Sequence, residues 1–240
     1  RPDNMEPKLM YAIGLFITLF TFQALITLVL MAEDIIRVPQ SIYAYFFKMP
    51  GQSNFFPERR KFLSQLAVGL AAIPFASLLY GMYRGRYNHK VLSYVLEYDD
   101  LPEAFDGFKI TQISDIHSGS FDNPDKINYA IDLVNEQNSD LILFTGDIVN
   151  THAKEMHPWI DNFNRIKKHK YGKFSVLGNH DYGEYVTWPS QKAKDENFEA
   201  IKNLYGEIDF KLLLNEHTFI EKGEDKIAIV GVENWGNNFK

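Results

Sequence analysis

The first third of the chain is patterned for lipid. No charged residue interrupts Leu9 to Ala32, a stretch rich in Leu, Ile, Phe and Val. About 20 apolar residues in a helix cross the roughly 30 Å of a bilayer's hydrocarbon, so this stretch predicts a transmembrane helix. It is too long and too apolar for an ordinary core helix. Met31-Ala32-Glu33-Asp34 is a poor cleavage site, which argues against a signal peptide. A second charge-free run, Phe62 to Tyr83, is softer, with Ser64, Gln65, Gly69, Pro74 and Ser77 inside it. Glu58-Arg59-Arg60-Lys61-Phe62-Leu63 in front of it has the order of a twin-arginine export signal. The reading preferred here is a plain second membrane helix with a basic flank. The aromatic-rich residues 33–61 between the runs predict a loop at the lipid interface.

From about Val91 the pattern becomes that of an α/β domain. Val91–Glu97 alternates like a strand, and Phe108–Ser114 predicts another. Asn123-Pro124 is a helix start, followed by Ile127, Ala130, Ile131 and Val134 at helical spacing. Leu141–Thr145 is a short apolar strand of the kind buried on both faces. A helix is predicted over Trp159–His169, a strand over Lys173–Leu177 and a helix over Phe198–Tyr205. Strands are predicted over Phe210–Leu214, Thr218–Glu221 and Lys226–Val230, the last two joined by a turn at Lys222-Gly223-Glu224-Asp225. Strands alternating with helices predict α/β layers. The expected organisation is a membrane region over 1–90 and a catalytic domain over 91–240. The chain opens on Arg1 and closes on Lys240 just after a strand, and so reads as a fragment.

Charge separates the same two regions. Residues 1–90 carry ten Lys and Arg against five Asp and Glu, and residues 91–240 carry 15 against 26. An acidic soluble half lacks the basic footprint of a nucleic-acid binder, so no nucleic-acid partner is expected. Cysteine is absent, which excludes disulfides and thiolate metal sites. Any metal must be held by oxygen and imidazole nitrogen.

Three short motifs each follow a predicted strand: Asp115-Ile116-His117, Gly146-Asp147, and Gly178-Asn179-His180-Asp181. Open α/β sheets place their sites at the C-terminal ends of strands. In Asp-x-His, one carboxylate and one imidazole can meet the same cation. Gly146 permits a tight turn that brings Asp147 to the sheet edge. Asp147 has two oxygens and can bridge cations about 3.5–4 Å apart. Asn179 offers a neutral carbonyl oxygen to a second cation. His180, next to a ligand, can reach a substrate. Asp181 is expected to hold the His180 imidazole in one tautomer. Each piece alone is commonplace; the ordered set, each after an apolar strand, is not.

This set resembles the calcineurin-like metallophosphoesterase superfamily over roughly Val91 to Lys240. The text from Gly107 to Gly119 is similar to its membrane-associated bacterial branch, which includes lipid-directed phosphodiesterases. The resemblance implies an αββα sandwich with a dinuclear centre. It implies Asp115 and His117 as ligands of the first metal, Asp147 as the bridge, Asn179 as a ligand of the second, and His180 as the group that stabilises or protonates the leaving oxygen. The implied cofactors are two divalent ions, with Mn, Fe or Zn all compatible. The later Gly-His and Gly-His-x-His motifs of the family are absent, which leaves four protein ligands for two metals. Asn150 and Thr151 depart from the G-D-x-x-D-R of some protein phosphatases. His217 is expected to be exposed, as are His89, His152, His157 and His169.

The function so implied is a membrane-tethered hydrolase of phosphate esters, expected to be a phosphodiesterase or pyrophosphatase acting on lipid or envelope substrates. The alternative is a non-catalytic, membrane-anchored metal-dependent binding module. Arg37, Lys48, Arg59, Arg60 and Lys61 lie between the apolar runs, against Arg84, Arg86 and Lys90 after them. The positive-inside rule then predicts the catalytic domain on the outer face of the cytoplasmic membrane.

Overall fold

A computed structural model describes residues 7–47 and 57–235. The chain divides into two compact units, one over Met5–His89 and one from Lys90 on. In the first, helix α1 covers Pro7–Phe46 and helix α2 covers Pro57–Tyr83. Their most apolar windows reach mean hydropathies of 2.3 and 1.9, yet only 6% and 11% of those windows is buried. Both predicted apolar runs lie inside these helices, and their apolar surface faces outward rather than into a protein core. The two pack on each other with opposite directions. Gly14 lies against Met82, whose Cε stands 2.8 Å from where a Cβ would be, and Phe22 meets Phe75 at 5.1 Å. A small residue at the crossing is what lets helices without a hydrophobic driving force approach. Thr18, also buried there, donates its hydroxyl to the Gly14 carbonyl at 2.8 Å.

The interfacial loop expected over residues 33–61 is corrected by α1, which continues through Glu33 to Phe46. Loss of apolarity does not end a helix. Residues 33–46 contain no glycine or asparagine to stop one, and Arg37 pairs with Asp34 one turn away at 2.7 Å. At about 1.5 Å per residue the helix outruns the hydrocarbon, so its last turns stand beyond it. The rest of that segment up to Phe56 lies outside the described residues.

The second unit is built on a parallel sheet of β1 (Ile110–Ile113), β2 (Leu141–Phe144), β3 (Lys173–Ser175) and β4 (Lys211–Leu212), in that order. Helices α3 (Pro124–Glu136), α4 (Ile160–Phe163) and α5 (Gln191–Glu207) lie between the strands in sequence. α3 starts as expected, with the Asn123 side chain accepting from the Lys126 amide and Pro124 in the first turn. A hairpin of β5 (Glu216–Lys222) and β6 (Asp225–Gly231) forms a second, antiparallel sheet. Gly223 turns it with a φ of 68°.

The faces of β2 explain its all-apolar sequence. Leu141 packs with Phe105, Phe174, Leu213 and Ile220, with Leu143, Ile227 and Ile229 against that cluster, so this face meets the hairpin. Phe144 faces the other way, against Tyr205 of α5 and Phe210. The result is the expected mixed α/β layering with a parallel sheet.

Three expectations are corrected. Val91–Glu97 forms no strand: it has the alternation but no neighbouring ladder, and Leu92, Tyr94, Val95 and Leu96 are exposed. The helix over Trp159–His169 shrinks to one turn, Ile160–Phe163, preceded by short 3-10 turns at Ala153–Glu155 and His157–Trp159. The strand over Phe210–Leu214 pairs only at Lys211–Leu212.

Candidate metal centre

The three motifs leave the C-terminal ends of β1, β2 and β3, and close-packed backbone draws them together. The loops after β1 and β2 are zipped by amides. Asp115 N donates to Gly146 O at 3.1 Å, His117 N to Asp147 O at 3.0 Å, and Ser118 N to Ile148 O at 3.1 Å. The loops after β2 and β3 touch at two glycines. A Cβ on Gly146 would stand 2.1 Å from the Gly178 nitrogen, and one on Gly178 would stand 2.2 Å from Asp147 Oδ1. Neither collision has a flexible side chain to move aside without disturbing the site. Asp115, His117 and Asp147 all hold left-handed backbone, at φ of 53°, 46° and 58°. Such strain in non-glycine residues persists only where surrounding contacts impose it, and it concentrates at functional sites.

At the centre, one ligand atom each from His117, Asp147 and His180 lies within 4.8 Å of the others. Asp147 Oδ2 faces His117 Nε2 at 3.8 Å, while its Oδ1 accepts from the His180 amide at 2.8 Å. The two imidazoles stand edge to face at 4.6 Å. His117 Nδ1 is buried without a hydrogen-bond partner. A converging carboxylate and imidazoles, one with an orphaned nitrogen, is a donor set that fits a divalent cation of the Mn, Fe or Zn kind.

The other two proposed ligands stand differently. The exposed Asp115 carboxylate accepts from the Ser114 hydroxyl and is outside the cluster of three. The Asn179 amide donates to the Tyr185 hydroxyl, and Tyr185 stacks on the His180 ring at 4.3 Å.

The role expected of Asp181 is corrected. Its carboxylate does not hold the His180 imidazole; the Asn150 carbonyl does, accepting from Nδ1 at 2.7 Å. A carbonyl can only accept, so Nδ1 carries the proton and Nε2 is left free. Asp181 is fully buried and accepts instead from the amides of Asp147, Ile148 and Gly178 at 2.9, 3.0 and 3.0 Å, and from the Tyr205 hydroxyl at 2.8 Å. It ties the loop after β2 to the loop after β3. Burial raises its pKa to about 6, opposed by the Gly178 amide and the Tyr205 hydroxyl. The same buried neighbourhood pushes the Tyr205 phenol well above its usual value.

Sequence reasoning missed Asn150, Glu155 and Tyr185. Of these, only Glu155 left a signal: it stands three residues after His152, the spacing of a capping box. The surface placement of the remaining histidines is also corrected in part. His157 and His217 are exposed, whereas His89, His152 and His169 are half-buried. His169 Nδ1 meets the Ser139 carbonyl at 2.6 Å, and His152 stands edge to face on Trp188.

Comparison with known proteins gives the family. The family described as calcineurin-like phosphoesterase matches residues 108–239, and this chain belongs to it. Residues 1–86 match a second profile, the probable calcineurin-like phosphoesterase transmembrane domain. The chain is similar to the uncharacterized metallophosphoesterase YkuE of Bacillus subtilis, with 35% identity over 54% of this chain and 46% of that protein. It is similar to a transmembrane protein with metallophosphoesterase domain of Danio rerio, with 25% identity over 65% of this chain and 33% of the relative. It is also similar to the UDP-2,3-diacylglucosamine pyrophosphatase LpxG of Chlamydia muridarum, with 32% identity over 50% and 37%. The chain thus spans less than half the length of these relatives.

Proposed function

We propose that this protein is a membrane-anchored, metal-dependent hydrolase of phosphodiesters or pyrophosphates carried by lipids or envelope components. In this reading residues 1–90 form the membrane region and 91–240 the catalytic domain. The observation that carries it is the convergence of His117, Asp147 and His180 on three loops at one sheet edge, in a chain that also holds two membrane-type helices. The pyrophosphatase named among the relatives has a lipid substrate in its name, which supports the lipid class.

Asp115, His117, Asp147 and Asn179 are assigned to two divalent ions, with Asp147 shared. For Asp115 this means turning its exposed carboxylate away from Ser114. Divalent cations, when bound, acidify water and neutralise charge on phosphoryl oxygens. The chain's own part is positional. Asp147 is pinned by the His180 amide through one oxygen, and Asp181 holds the backbone beneath it. With Nδ1–H committed to Asn150, it is the imidazolium form of His180 that presents Nε2–H to the leaving oxygen and donates a proton or hydrogen bond there. By the positive-inside rule, the basic flank of Arg59, Arg60 and Lys61 supports a domain on the outer face of the cytoplasmic membrane, where lipid head groups and envelope phosphates would be the esters at hand.

The full chain in detergent, supplied with Mn²⁺, should hydrolyse bis(p-nitrophenyl) phosphate and a UDP-linked acyl sugar. Chelation should abolish both. Metal-independent turnover, or none on either substrate, would sink the reading. A reporter fused after Lys90 should be active only outside the cytoplasm.

A further inference from the structure

The loop that carries Asp147 is fastened along its length by side chains rather than by strand neighbours. Asp181 takes the amides of Asp147 and Ile148. Asn197 of α5 takes the Ala153 amide at 3.0 Å and donates to the Thr151 carbonyl at 2.9 Å. Between these, Glu155 takes two amides at once: Asn150 N donates to Oε2 at 2.6 Å and His152 N to Oε1 at 3.0 Å. The carboxylate fills the space where a side chain at residue 119 would stand, which the glycine there leaves open. A Cβ on Gly119 would stand 2.3 Å from Oε2 and 2.7 Å from Asn150 Nδ2. A hydrogen bond between Asn150 and Ser120 closes the same corner.

The peptide so clamped ends in the Asn150 carbonyl, which holds the His180 imidazole. We propose that Glu155 is a positioning residue for His180: by fixing residues 150 and 152 it aims the Asn150 carbonyl at Nδ1 and so sets which ring nitrogen faces the substrate. The inference rests on the reading of His180 given above. Glu155 itself touches neither the cluster of three nor a reacting atom. A charged acceptor on two amides is stronger than two neutral ones, so losing the charge loosens the hold on the segment that carries the Asn150 carbonyl, even with Asn197 still in place. Without the carbonyl, a neutral imidazole distributes its proton over both nitrogens and the ring is free to turn, so Nε2 faces the leaving oxygen less of the time.

The test is Glu155→Gln in the full-length protein, read by ¹⁵N chemical shifts of the His180 ring, assigned by their loss in His180→Gln. Wild type should show the Nδ1–H tautomer, and the variant a mixture. Turnover of bis(p-nitrophenyl) phosphate with Mn²⁺ should fall about tenfold or more, within the range of a weakened acid–base group, with KM little changed. In a His180→Ala background the same substitution should cost nothing further. Gly119→Ala presses on the carboxylate from the other side and should reproduce the tautomer mixture, which covers the case in which Glu155→Gln does not fold. An unchanged ¹⁵N pattern in these variants, or an equal loss of turnover with and without His180, would overturn the proposal. Absence of hydrolysis in wild type would sink the hydrolase reading alone, since the tautomer measurement needs no turnover.

Discussion

Strand β3 is bracketed by two buried charges, Lys173 at its start and Asp181 just past its end, and the two are held in opposite ways. The Lys173 side chain is 3% exposed. Its Nζ donates to the Ile208 carbonyl at 3.1 Å, pairs with Asp209 at 3.3 Å and lies 5.1 Å over the Phe210 ring. Its ionic partner is 60% exposed, so solvent screens the pair. Among the described residues, no cation pairs with Asp181. It is held instead by hydrogen bonds from three amides and a phenol drawn from three segments of the chain, among them the strained loop of Asp147. The first charge fills a place in the packing at the edge of the sheet remote from the motifs. The second fixes the relative position of two loops, and through them the Asp147 carboxylate and the His180 imidazole. A charge satisfied by backbone amides therefore marks the working end of this sheet, and a charge satisfied by a wet side chain marks the other.

The comparison predicts where substitutions will be felt. The largest effect belongs to Asp147, assigned to both metals: Asp147→Ala should bring metal content from two per chain to none and turnover to background. Elemental analysis of the purified full-length protein reads this directly, and two metals retained would disprove the assignment. His180→Ala should leave the metals in place and lower turnover by about 10²–10⁴-fold, the usual range for an acid–base group. Unchanged hydrolysis of bis(p-nitrophenyl) phosphate would remove His180 from the chemistry.

Much of the arrangement at this end was legible in the sequence, because each motif pairs a candidate ligand residue with the strand that delivers it. The apolar runs before Asp115, Asp147 and Asn179 announced β1, β2 and β3, and Gly146 announced the tight turn. What was not legible is how those residues are held. Side-chain bonds to backbone, such as Asp181 to Ile148 or Glu155 to Asn150, have no periodicity and connect positions five to 34 residues apart. The role given to Asp181 went wrong for that reason: adjacency in sequence pointed to the His180 ring, while the side chain turns under the loop. Val91–Glu97 misled in the complementary way. Its alternation is real, but a strand exists only with a neighbour, and the pattern names none.

A third prediction sharpens the difference between the two charges. Asp181→Asn keeps the shape but replaces an acceptor oxygen with a donor facing amides already aimed inward. It should destabilise the metal-free protein by on the order of 3 kcal/mol, the cost of leaving buried donors unpaired. The sign with pH follows from the carboxyl pKa, raised by burial from 3.8 to about 6. The native state binds this proton more tightly than the unfolded chain, so the contribution of Asp181 is most favourable at low pH and declines as pH rises through that window. Asparagine does not titrate. The gap in unfolding free energy between wild type and variant should therefore widen as pH falls from about 6 to 4 in the presence of chelator. A gap that narrows would mean the carboxylate is stabilised in its charged form.

The smallest effect is expected at the other end of the strand. In Lys173→Met the aliphatic stem keeps its packing over Phe210, so little apolar contact is lost. Asp209 is exposed enough to return to water at little cost, since screened pairs contribute at most about 1 kcal/mol. The Ile208 carbonyl loses its donor, a loss of about 1 kcal/mol, which for a domain of this size lowers Tm by about 2–4 °C. Turnover and metal content should not change, because no hydrogen bond of Lys173 reaches any of the three motif loops. Thermal melts beside the phosphodiester assay decide the matter. If Lys173→Met lost activity on the scale of His180→Ala while remaining folded, the two ends of β3 would be coupled, and the separation between a packed charge and a working one would fail.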